Sequence, residues 1–197
     1  MTFGGAEDAA EGGLLALRLD EFLDALATTT PLPASGSAAA VVGAMAAELV
    51  AMTARASTDW PEAAGIAAQA RGLASRLRPL AAADAEAFAR VLSLRADASS
   101  DHRDLGPALE RAADIPLEIA DACAATAELA ALAAERAVGH ERADAVAAAA
   151  LAEGATRAAA ALVVANLTTV AGDERSSRAD ALVDIASHAR MRALETT

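Results

Sequence analysis

The sequence predicts an all-α protein, an up-and-down bundle of long, buried, alanine-rich helices. Three observations lead there. Alanine, the best helix former, dominates a chain of 197 residues that is 55% hydrophobic. No stretch alternates apolar and polar residues as a half-buried strand would, and the larger apolar side chains recur at helical spacing instead. Aromatic residues are scarce, with three Phe, one Trp and no Tyr. Small side chains let helices approach closely, yet each helix then buries little area alone. A second subunit is therefore expected to complete the core, the bundle dimerising through its helices. The length suits one domain. Residues 17–197 read as a single helical unit and 1–16 as a disordered, Gly-rich, acidic tail.

Taken in order, residues 18–27 form a short amphipathic helix with Leu19, Phe22, Leu23 and Leu26 on one face. Thr28 to Pro33 end it. Pro31 and Pro33 stiffen the approach to Ala34-Ser35-Gly36-Ser37, where Gly36 permits a close turn and Ser35 or Ser37 is placed to cap the next helix. That helix runs to about Ser57 and is almost wholly Ala, Val, Met and Leu, so burial on most sides is expected. After a connector at Thr58 to Pro61, a helical region over 62–96 carries Leu73, Leu77, Leu80, Phe88 and Val91 on one stripe. Pro79 is expected to bend or split it. Asp97 to Gly106, with His102, reads as a surface loop. A helix over 107–138 follows, expected to kink or divide before Pro116. Gly139-His140 break the chain before a helix over 142–167, on which Asp144, Leu151, Ala155, Leu162 and Asn166 share a face. A mixed, more exposed helix over 174–195 ends the chain.

Composition excludes several functions. The formal net charge is −12, which argues against nucleic acid or an acidic membrane surface as partner. All sixteen basic residues are Arg, so neither a lysine Schiff base nor a phosphate-binding Walker loop is available. Cys123 is alone; this precludes an internal disulfide framework and favours a reducing, cytoplasmic setting. Met1 to Gly13 lacks the basic start of a secretory signal. The apolar runs 37–54 and 143–167 carry Glu48, and Glu153 with Arg157, and read as buried helices rather than membrane spans. His102, His140 and His188 are scattered, with no metal-binding or Cys–His spacing. Neither a metal nor a cofactor is expected.

The residues left to carry chemistry are few. Asp84 falls on the buried stripe, four after Leu80 and four before Phe88, and a carboxylate there is costly unless paired or used. A salt bridge to a nearby arginine is its structural alternative. Asp144, near a helix start, suits a second carboxylate dividing acid and base roles with the first; the macrodipole alone also favours an acid there. The helix start at Ser35, Gly36 and Ser37 suits an anionic or carbonyl-bearing ligand, although such a stretch also simply restarts helices. Arg55 can meet a substrate carboxylate or end its helix. Glu153 and Arg157 read as a structural i, i+4 pair, and Cys123 as a small core residue.

Taken as an ordered set, these stretches resemble the cyclodeaminase/cyclohydrolase family of folate enzymes. The resemblance rests on Phe22-Leu23, Pro31-Leu32-Pro33-Ala34-Ser35-Gly36-Ser37-Ala38-Ala39-Ala40, Gly43-Ala44 and Met52-Thr53-Ala54-Arg55-Ala56-Ser57. It continues through Asp84-Ala85-Glu86-Ala87-Phe88, Pro116-Leu117-Glu118-Ile119-Ala120, and Asp144, Glu153, Arg157 and Asn166. It implies a helical homodimer with a folate cleft where helices of two subunits meet, and acid/base chemistry by carboxylates without a metal. It also implies substrate-binding roles for Ser35, Gly36, Ser37, Arg55 and Asn166. The implied reaction is hydrolysis of 5,10-methenyltetrahydrofolate to 10-formyltetrahydrofolate, or the related cyclodeamination of a formimino group. The chain departs from the family at Ala34-Ser35, where glycines are usual, at Ala82 and Ala143, and in lacking lysines. Those departures leave two other readings in place: a diverged enzyme for another small cyclic amidine or formimino compound, and a non-catalytic helical dimer.

Overall fold

The computed structural model describes residues 14–28, 32–57, 59–96, 102–167 and 172–195. A single 3-10 turn, Leu14–Ala16, occupies the end of the expected tail. Six α-helices follow: α1 (Leu19–Leu26), α2 (Ser35–Ala56), α3 (Ala63–Ala96), α4 (His102–Arg136), α5 (His140–Asn166) and α6 (Glu174–Glu195). No strand occurs among the described residues. Pro31 lies outside them, as do residues 1–13.

The interior prolines do not divide these helices. Helix α3 is continuous through Pro79. Pro79 and Ser75, whose carbonyl it deprives of an N–H partner, both face outward, so the vacancy lies open to solvent. Helix α4 is likewise undivided at Pro116, and it reaches back through Pro107 to His102, shortening the expected loop. Pro116 differs from Pro79 in being fully buried.

Helix direction alternates. The start of α2 meets the second half of α3, the first half of α4 and the end of α5; the end of α2 meets the end of α4 and the start of α5. Consecutive long helices therefore run antiparallel. Helix α6 returns alongside α4, tied by Arg175 to Asp114 near one end and by Arg192 to Glu135 near the other. Helix α2 packs against α3, α4 and α5, as its alanine content allows. At Gly43 the fit is closest: a side-chain carbon there would collide with Cys123 Sγ and crowd Leu77. Cys123 is fully buried, and burial pushes its thiol up to about 12, so it is a core residue and not a nucleophile.

Glu153 and Arg157 also form the structural pair expected. The Glu153 carboxylate forms ion pairs with Arg157 at 3.0 Å and with Arg190 of α6 at 2.6 Å. Arg157 donates onward to Ser187 at 2.8 Å, so the cluster pins α6 to α5. Helix α1 departs from its expected packing. Only Phe22 of its apolar face is buried, and Leu19 and Leu23 stay 64% and 55% exposed, because no bundle helix covers them within one chain.

Candidate active site

The first turn of α2 is held by a residue of another helix. Ala34 is the N-cap, with extended backbone and no capping side chain, so neither Ser35 nor Ser37 caps the helix. The helix starts one residue earlier than a serine cap requires, which puts Ser37 at its third position, inside the turn. Its hydroxyl donates to the Ala81 carbonyl of α3 at 2.7 Å. Its backbone N–H donates to the Asp84 carboxylate. Capping side chains ordinarily accept from that third N–H; here Asp84 does so across the α2–α3 contact.

Gly36 makes this possible. A side-chain carbon at Gly36 would fall on the Asp84 carboxyl group, on Cγ and both oxygens. Glycine is thus needed for close approach between a backbone and a carboxylate, rather than for turn geometry, since the only positive-φ glycines among the described residues are Gly139 and Gly172.

Asp84 is 9% exposed, and among the described residues it makes no ion pair with an arginine, so the salt-bridge alternative does not hold. Burial raises its pKa above the usual carboxylate value, and the Ser37 N–H offsets part of that rise. A carboxyl group raised in this way holds a proton more readily than an ordinary carboxylate, which suits it to accepting one.

Ala34, Ser35, Gly36, Asp84, Phe88, Ala112, Leu162 and Asn166 line one cavity of about 80 Å³. Ser37 stands behind it, bonded to Ala81 and Asp84. Asn166, in the last turn of α5, donates its side-chain amide to the Ala112 carbonyl at 2.6 Å. The walls Phe88 and Leu162 were visible in the sequence only as stripe residues. Each lies four positions from a site residue, Asp84 or Asn166, and so shares its helix face. Ala34 and Ala112 gave no chemical signal, since they contribute backbone and a methyl group.

Arg55 and Asp144 are elsewhere. Arg55 is exposed in the last turn of α2, ~30 Å from Gly36 along the helix. Asp144 is half-buried in the second turn of α5, ~33 Å from Asn166. Neither makes an ion pair among the described residues. One chain therefore brings together Ser35, Gly36, Ser37, Asp84 and Asn166 at one end of the bundle and leaves Arg55 and Asp144 near the other.

Comparison with known proteins adds three findings. The family described as formiminotransferase-cyclodeaminase matches residues 18–183. The crystal structure of formiminotetrahydrofolate cyclodeaminase from Thermotoga maritima superposes with a TM-score of 0.83 at 24% sequence identity, covering 93% of this chain and 97% of that one. That likeness concerns the fold. No curated protein matches.

Proposed function

The chain belongs to the formiminotransferase-cyclodeaminase family, and we propose that it is a folate enzyme that hydrolyses 5,10-methenyltetrahydrofolate to 10-formyltetrahydrofolate or carries out the related formimino cyclodeamination. The observation that carries this reading is the Asp84 carboxyl: buried, raised in pKa, set against Gly36 at a helix start, and lining the same cavity as Asn166. In the hydrolysis, water adds to the bridging carbon of the cationic amidine. Asp84 takes a proton from the attacking water. The bond from carbon to N5 then breaks, with one proton of the water ending on N5 and the other released. Ionised Asp84 also steadies the positive amidine before attack. The reading calls for no metal or cofactor.

A cavity of about 80 Å³ accommodates a one-carbon centre and not a whole folate, since ligand pockets usually span about 300–1,000 Å³. The rest of the cleft needs another surface. We therefore place a homodimer within this proposal. An apolar groove of about 800 Å³ along α2, lined by Val41, Met45, Leu49 and Met52, supports it. Arg55 and Asp144 take part in the same site only if a second subunit brings them there.

Decay of the near-ultraviolet absorbance of methenyltetrahydrofolate tests the reading, in a buffer where spontaneous hydrolysis is slow. Wild-type protein accelerates the decay, and Asp84→Asn loses about 100-fold or more of that acceleration. No acceleration by folded, dimeric protein sinks the cyclohydrolase reading. The altered Ala34-Ser35 entry would then direct the search to another cyclic amidine.

A further inference from the structure

We propose that Pro116, buried in α4 and outside the cavity lining, is a positioning residue that fixes which end of the Asn166 carboxamide faces the ligand. In an α-helix the carbonyl of Ala112 accepts from the N–H of residue 116, and proline has none. On the outer face of α3 the same loss at Pro79 lies open to solvent. Ala112 is only 3% exposed, so its carbonyl needs a protein donor. Asn166 supplies it, with Nδ2 at 2.6 Å from the Ala112 oxygen. A carbonyl only accepts, so the NH₂ end of Asn166 is the end that must face it, whichever way the amide is assigned.

The consequence falls on the cavity that Asn166 lines. With one N–H of Nδ2 engaged, Oδ1 is an acceptor that has no other partner among the described residues. The Asn166 side chain thus offers an acceptor beside the Asp84 carboxyl, suited to an N–H-bearing edge of a ligand. Resting on the folate reading, this assigns Asn166 to an N–H of the pterin, since both amidine nitrogens of the methenyl compound carry carbon alone. Were residue 116 able to donate, Ala112 would be satisfied within α4, and the Asn166 amide would be free to turn either end inward.

Two measurements test this separately from the reaction. In nitrogen-15 spectra of the ligand-free protein, the Asn166 side-chain amide protons exchange slowly in wild type and at least several-fold faster in Pro116→Ala. Equal exchange in the two proteins overturns the positioning role, whatever the substrate proves to be. The second is the affinity for 5,10-methenyltetrahydrofolate, measured by rapid-mixing fluorescence in a double-mutant cycle. Pro116→Ala weakens binding about three- to tenfold, the effect of misplacing one neutral hydrogen bond. In an Asn166→Ala background the same change has no further effect. Weakening that persists in the Asn166→Ala background shows that Pro116 acts by another route and overturns the proposal. If wild type binds no folate, the folate reading fails, and the exchange measurement still decides between the two states of Asn166.

Discussion

Asp84 serves two purposes with one carboxyl group: it completes the start of α2 and it lines the cavity. The cost of burying it appears in its raised pKa. Because the folded value lies above the unfolded one, its contribution to stability is fully present below about pH 3.8 and is lost as pH rises through the raised value. Asp84→Asn keeps an oxygen for the Ser37 N–H and carries no charge. Thermal melts across pH should show the variant as stable as wild type or more so at neutral pH, with wild type gaining on it as pH falls toward 3.8. The opposite trend would mean that Asp84 is held ionised by a partner. Gly36→Ala places a methyl group on that carboxyl; it should cost about 1–3 kcal/mol by overpacking and displace Asp84, lowering activity more than stability alone explains. Asp84 itself was legible in the sequence, as a carboxylate on an apolar stripe. Its bond to Ser37 was not, because the partner is a backbone N–H that every residue type except proline carries.

Among the elements, the two interior prolines separate by what surrounds them. Pro79 breaks a helix rule on the outer face and gains nothing there, so Pro79→Ala should raise stability, by up to about 3 kcal/mol, with the reaction unaffected. A fall in melting temperature would show that α3 needs its proline. Pro116 sits where its vacancy is met by Asn166. Sequence reasoning expected a bend or a split at Pro79 and a kink or a division at Pro116, since proline in a helix interior removes a bond and clashes with the preceding turn. Close packing with neighbouring helices outweighed that local cost, and α3 and α4 stay whole. The other departures were at helix starts, where α4 gained residues from a presumed loop and α2 took its cap from α3.

For the whole molecule, apolar surface stays exposed among the described residues. Met45 and Met52 of α2 are 53% and 41% exposed, and Leu19 and Leu23 of α1 more so. If α2 is the seam between subunits, Met45→Glu with Met52→Glu should give a folded monomer by sedimentation, with unchanged helical circular dichroism and little activity. A dimer that persists would place the seam elsewhere. By itself the sequence determined the helical class, because alanine content and apolar spacing act locally and every helix expresses them. It also marked Asp84, because a carboxylate on an apolar stripe is conspicuous, Gly36 by its place at a helix start, and Asn166 by its helix face and the family resemblance. Only the tertiary structure decided that these three meet while Arg55 and Asp144 lie ~30 Å away, since that separation is set by helix length and by the alternation of helix direction. It alone decided, too, that a carboxylate caps a helix to which it does not belong, because a hydrogen bond between distant segments exists only once packing has brought them together.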